Sequence, residues 1–137
     1  MAASGADHAF GTTLTKSGGS AIAEITSING PNLTTETIDV TSHSSDDTYR
    51  EYIHGVFEGG EISVEGLLQL GNADQAALIT DAQDGSGDSY TITYSNTEAS
   101  TWVATCIVTA WNIVAVYDDA LKFSATLKVT GKPTFTV

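Results

Sequence analysis

Apolar positions along this chain recur with a period of two far more often than with the 3.6-residue period of a helix. Between Glu61 and Leu70, Ile62, Val64, Leu68 and Leu70 fall on one side together with Gly66, while Glu61, Ser63, Glu65 and Gln69 fall mostly on the other. This is the signature of a strand with one dry and one wet face. Leu121 to Thr130 repeats it, with Leu121, Phe123, Ala125, Leu127 and Val129 alternating with Lys122, Ser124, Thr126, Lys128 and Thr130. Tyr90, Ile92 and Tyr94 stand opposite Thr91 and Thr93. Thr101 to Tyr117 is the longest β-rich run; its length calls for a bend or bulge, expected near Trp111 and Asn112. A turn at Asp118 and Asp119 makes it and the Leu121 strand an antiparallel pair. Nearer the start, Ala21 to Ile28 and Leu33 to Thr41 read as neighbouring strands separated by Asn29, Gly30 and Pro31. In the second, Ile38 and Val40 share the face expected to meet a core, and Thr35, Thr37 and Asp39 share the other.

Three segments break the two-residue period. Asn72 is a helix N-cap with Gln75 at the capping-box position, and Ala76, Ala77, Leu78 and Ile79 supply propensity and a short apolar face, so a helix is expected over 72–83, ending by Gly85. Residues 1–19 are small and polar, interrupted by Gly5, Gly11, Gly18 and Gly19, and are expected to form an arm with little core of its own. Ser42 to Glu58 is read as a long connection; it carries Tyr49, Tyr52, Ile53, Val56 and Phe57, too much apolar area for plain disorder. A contact loop fits it, with packing on its own sheet as the alternative. The chain is then one mainly-β domain, 20–137, behind an arm.

Charge narrows the partners. Seventeen acidic residues against five basic ones give a net charge of -12 over 137 residues, which repels nucleic acid and anionic membrane. Every acid lies at or before Asp119, whereas Lys122, Lys128 and Lys132 fall in the last sixteen residues, a separation that would let one surface attract another copy. The lone Cys106 excludes an internal disulfide framework. No apolar run approaches a membrane span and the start lacks the order of a signal peptide, so a soluble protein made in the cytoplasm is expected.

Candidate chemistry mostly dissolves on inspection. His8, His43 and His54 are too scattered for a metal triad, and no metal or cofactor is expected. The run Asp81 to Asp88 lacks the acidic residue that would close a calcium loop: counting from Asp81 places Ile92 there, and from Asp84, Ser95. The paired glycines Gly18–Gly19 and Gly59–Gly60 have no following Lys of a phosphate loop. Glu58, Glu61 and Glu65 read as a solvated acidic face, Cys106 as a packed strand residue, and Ser42, Ser44 and Ser45 beside His43 lack a nucleophile elbow. Nothing here carries an enzyme reading.

The layout does resemble something. The stretch EITSINGPNLTTETIDVTSHSSDDTYREYIHGVFEGGEISVEG, the single helix, and the closing LKFSATLKVTGKPTF together resemble the tail tube proteins of siphophages and of gene transfer particles, from about Ser20 to Phe135. The most specific parts are Ile38 to Thr41 leading to Tyr49, Arg50, Glu51 and Gly55, then Gly60–Glu61, and Val129 to Pro133. The resemblance implies a β-sandwich or barrel with one flanking helix, six copies joined in a ring with a continuous inner β-barrel, and rings stacked into a hollow tube that passes DNA without binding it specifically. It implies other tail proteins, such as tail tip and terminator, as partners, and a place in the virion tail. It implies that 42–58 reaches the adjacent ring or subunit, with Tyr49, Tyr52, Ile53 and Phe57 as apolar anchors and Arg50 as a charged partner. Asp39, Glu61 and Glu65, on polar strand faces, are candidates to line the channel, although an outer wall predicts the same alternation. The N-terminal arm and Thr134 to Val137 are candidates to cross to neighbours. The runner-up is the tube or needle of a contractile injection or type VI secretion system; a monomeric β-sandwich binding module is the reading from a different class.

Overall fold

Alternation of apolar and polar residues commits Glu61–Leu67 to a strand whose Ile62, Val64 and Gly66 are buried while Glu61, Ser63 and Glu65 are exposed. The computed structural model describes residues 9–69, 71–96 and 98–137; Leu70 and His8 lie outside them. In chain order the elements are β1 (Thr13–Lys16), β2 (Ile25–Asn29), β3 (Thr34–Asp39), β4 (Tyr52–Glu58), β5 (Glu61–Leu67), α1 (Ala73–Asp84), β6 (Asp88–Thr93), β7 (Thr101–Val114) and β8 (Lys122–Thr136). Six strands form one antiparallel sheet in the order β1-β6-β7-β8-β5-β2, and β3 pairs with β4 in a separate two-stranded sheet. The sheet curls into a half-barrel. A bridge between Thr15 and Ala21, with the Ile22 amide donating to the Leu14 carbonyl at 2.8 Å, ties the β1 edge to the segment leading into β2 at the other edge.

The core lies on one face of this sheet. Leu14, Ile62, Val64, Tyr90, Ile92, Trp102, Phe123 and Leu127 are almost fully buried, and Leu78 of α1 joins them. Register explains the alignment: Ile62 faces Leu127, Val64 faces Ala125, and Ile92 faces Trp102, so apolar rows run across strands. The extra residue of β7 sits at Thr109, between the Val108–Leu127 and Ala110–Thr126 pairs, earlier than the expected Trp111–Asn112. Trp111 stays in register because its ring stacks on Phe123 at 4.9 Å, while the Thr109 hydroxyl donates to the Thr126 carbonyl.

Four other expectations are corrected. The supposed arm contributes β1, because Leu14 fills the core opposite Ile92. β8 runs on past Thr130 to Thr136, where Thr134 and Thr136 pair with Val103 and Thr101 of the same subunit instead of crossing outward. β2 and β3 are not paired neighbours, since β2 pairs with β5. Within α1, Asn72 does cap, its side chain accepting from the amides of Asp74 and Gln75, and Gly85 ends the helix at φ 69°. Gln75, however, does not close a capping box. Its buried amide accepts from the Gln69 N–H at 2.7 Å and donates to the carbonyls of Ala23 and Leu67 at 2.8 and 3.1 Å, pinning the helix to the ends of two strands.

The acidic run near Asp81 is structural. Asp81, buried on α1, takes the Lys16 ammonium of β1 at 3.0 Å and the Tyr90 hydroxyl of β6, while Asp88 meets the same ammonium at 3.3 Å. Burial works to lower the Lys16 pKa, but the hydrogen bonds and charges of Asp81 and Asp88 outweigh it and raise it. Burial, then Asp81, raises that of Tyr90.

Candidate assembly interface

Two short strands do not bury enough surface to stand alone in water, yet β3 and β4 form a ribbon set apart from the main sheet. All six residues of β3 are exposed, and of β4 only Gly55 is partly covered. The expected core contact of Ile38 and Val40 is therefore absent: they stand 49% and 42% exposed. The segment 42–58 is not one loop either, because Tyr52–Glu58 is the returning strand, and only its first part, with a short 3-10 turn at Asp46–Thr48, makes the tip. Register places Ile38 opposite Ile53 on one face, and Thr35 with Phe57, Thr37 with His54, and Asp39 with Tyr52 on the other. A register shift between Thr35 and Thr37 keeps Phe57 on the same face as His54, whose ring stacks on it at 5.5 Å. Both faces carry apolar side chains: Ile53, Val56 and Phe57 are 54%, 70% and 70% exposed, and Tyr49 at the tip 75%. The ribbon thus exposes apolar area on both of its faces.

Local chemistry holds the ribbon's shape. The Ser42 amide donates to the Ser45 hydroxyl at 3.0 Å, the Ser45 hydroxyl to Glu51 at 2.6 Å, and the Glu51 amide to the Thr41 hydroxyl at 2.8 Å. Ser42, Ser44 and Ser45, beside His43, are engaged in the hydrogen bonds of this turn. Arg50 pairs with Asp39 at 3.2 Å across the ribbon; hydrogen bonds from Thr41, and then the guanidinium, hold the Asp39 carboxyl below the usual carboxylate range. The corner onto β5 is built from glycine. A Cβ on Gly60, at φ 78°, would lie 1.8 Å from the Asn32 carbonyl oxygen, and one on Gly59 2.3 Å from the Val129 side chain.

Of the acids weighed for a channel, Glu61 and Glu65 stand together on the open face of the six-stranded sheet, away from the core. Lys128 faces Glu61 across the ladder, and Lys122 lies on the same face opposite Leu67. The rest of that face is largely hydroxyl-bearing: Ser63, Ser124, Thr126, Thr91 and Thr93. Asp39 belongs to the other sheet and is engaged by Arg50.

Two clefts open on the surface, the second of them at the ribbon's base. One, of about 980 Å³, is lined by Phe10, Ile25, Ile28, Tyr94 and Phe135 among others; the second, of about 820 Å³, by Leu33, Phe57, Glu58, Lys128, Val129 and Lys132. Sequence reading passed over the second, since Gly131–Pro133, the irregular stretch that carries Lys132 out of the ladder, is visible only in the register. Among the described residues no group of His, Cys, Asp and Glu is arranged to hold a metal ion. Cys106 is buried, which pushes its thiol up to about 11 and keeps it protonated at neutral pH.

A curled antiparallel half-barrel with one packed helix and a projecting two-faced ribbon defines a subunit built to be completed by others. A family model described as lambda phage tail tube protein matches residues 3–136, and the chain belongs to that family. It is thus a structural component of a phage-type virion tail. Sequence comparison with the curated proteins finds no match. Similar solved structures include a chain from the virion of a native gene transfer agent particle (16% identity, TM-score 0.79, covering 96% of this chain and 100% of that one). A chain from the tail of an empty gene transfer agent particle with C6 symmetry is similar at 20% identity and TM-score 0.79, with the same coverage. A chain from the sheath/tube terminator of an extracellular contractile injection system follows at 14% identity and TM-score 0.75, covering 96% and 97%. These likenesses establish the shared fold.

Proposed function

We propose that six copies of this chain close into a ring, that rings stack into a hollow tube, and that the β3–β4 ribbon is the element that joins copies. The carrying observation is the ribbon's exposed apolar area on two faces, Ile38 and Ile53 on one and Tyr52 and Phe57 on the other. Sixfold symmetry in the similar gene transfer agent tail supports the ring size. In this reading Tyr49, Tyr52, Ile53 and Phe57 are contact anchors, and Arg50, through Asp39, stiffens the ribbon. The open sheet face with Glu61 and Glu65 lines the channel, and DNA passes along it without specific binding because a chain of net charge -12 offers phosphate little to hold. The role is structural, with tail tip and terminator proteins capping the tube. Likeness to a contractile injection system component keeps a sheathed tube as the second reading.

Negative-stain electron microscopy of the purified chain over a concentration series, beside sedimentation, tests this. Rings or hollow tubes of uniform width are the expected result. A persistent monomer, even with tail-tip proteins added, would overturn it in favour of a binding module.

A further inference from the structure

The chain has five cations. Lys16, Arg50 and Lys122 are engaged in ion pairs within the subunit, with Asp81 and Asp88, Asp39, and Asp119 respectively. The remaining two, Lys128 and Lys132, make no such pair among the described residues, and both line the same cleft of about 820 Å³ at the base of the ribbon. Leu33, Phe57, Val129 and Pro133 give that cleft apolar walls; Glu58 also lines it and Glu61 faces Lys128 across the ladder, but neither carboxylate is close enough to pair with either ammonium. In a chain with seventeen acids, two cations left over at one apolar cleft make a receptor for something both anionic and apolar.

Among the described residues, the tip of the ribbon carries that chemistry. At the ribbon's tip Asp46 and Asp47 have carboxylates in no ion pair among the described residues, and Tyr49 beside them is 75% exposed. The turn is held by Ser42, Ser45 and Glu51, so the knob is preformed. The competing turn at Tyr117–Asp119 also exposes its tyrosine, but it spends Asp119 on Lys122 and so keeps one acid, Asp118, where the tip has two. A subunit's own tip cannot fill its own cleft, because the ribbon's strands separate tip from base by roughly 20 Å. Resting on the tube reading above, we infer that the Lys128–Lys132 cleft receives the Asp46–Asp47–Tyr49 tip of a second copy. Knob and receptor lie on different surfaces of one chain, so the contact is head-to-tail and propagates around a ring or along a stack.

Charge reversal tests this in two steps. Lys128→Glu with Lys132→Glu, and separately Asp46→Lys with Asp47→Lys, should each raise the concentration needed for tubes at least about tenfold, since like charges then meet at the contact. All four changes in one chain should restore tubes. Far-ultraviolet circular dichroism checks that each variant is folded. As a second measurement, Asp47→Cys with Lys132→Cys, oxidised during assembly, should give a ladder of disulfide-linked multimers that buried Cys106 does not produce in the wild type. Tubes that form normally from either reversal, a folded quadruple variant that stays monomeric, or a cysteine pair that yields no ladder from intact tubes would overturn the docking while leaving the tube reading in place. A wild-type chain that never assembles would overturn both.

Discussion

Replacing Ile53 and Phe57 together by serine separates assembly from folding. Ile53 is 54% and Phe57 70% exposed, on opposite faces of the ribbon. A fully buried Ile or Phe side chain gains roughly 1.5–3 kcal/mol, so covering the exposed parts of both is worth about 3 kcal/mol per copy, or roughly 100-fold in the affinity of each contact. The same exposure means that the isolated subunit has little to lose, within about 1 kcal/mol. Sedimentation over a concentration series and thermal melting of the dilute monomer read the two quantities separately. The expected outcome is a melting curve close to that of the wild type and tubes only at far higher concentration, if at all. A melting temperature lowered by ten degrees or more with tubes intact would refute the reasoning, because it would place these side chains against their own sheet.

Three further outcomes follow from the structure. Asp81→Ala leaves the buried Tyr90 hydroxyl without its acceptor and breaks one Lys16 ion pair, so it should cost about 3 kcal/mol by urea denaturation; Lys16→Met with Asp81→Leu should recover much of that. Gly60→Ala meets both a backbone clash and a left-handed φ of 78°, so about 2–4 kcal/mol of stability is expected to go, and tube formation with it, because the corner aims the ribbon. Lys16, Tyr90 and Cys106 all have raised pKa values, Cys106 moving from 9.0 to about 11. The folded chain therefore holds protons that the unfolded chain releases, so stability is complete below about pH 9 and falls as the pH climbs to 11 and beyond. Cys106→Ala should flatten the early part of that decline in denaturation curves taken from pH 8 to 11.

Much of the main sheet was legible because each of its strands has one face on this subunit's own core. Ile62, Val64, Phe123 and Leu127 alternate with polar neighbours, and the alternation reports burial directly. Ile38 and Val40 show the same period and are exposed. A period of two records that one side of a strand avoids water; it does not say which chain supplies the cover, and in an assembling protein the two answers differ. For that reason the sequence pattern predicts a core strand followed by a loop where the structure has a projecting ribbon. β1 was missed because four residues containing one Leu carry too little pattern, and the Lys16–Asp81 contact because nothing local links residues 65 apart. Gln75 was assigned the right place and the wrong partner: capping boxes are common, whereas an amide reaching strand ends is specified only by the packing of the helix.

The placement of charge refines how such a tube could pass DNA. Among the described residues, the only acids on the open face of the six-stranded sheet are Glu61 and Glu65, at the positions fixed by the β5–β8 register, and Lys128 and Lys122 stand there with them. Six others lie on the ribbon and its tip between Glu36 and Glu58. If the open face lines the channel, its wall is nearly neutral and rich in Ser and Thr hydroxyls, and repulsion of phosphate comes from the summed charge of the stacked copies. If Lys128 is also covered by a neighbour's tip, the balance on the wall tips to the two glutamates, so a ring would become more acidic inside by assembling. Reversing Glu61 and Glu65 to lysine should then leave tubes intact and slow genome delivery; delivery at the wild-type rate through intact tubes would place this face on the outside.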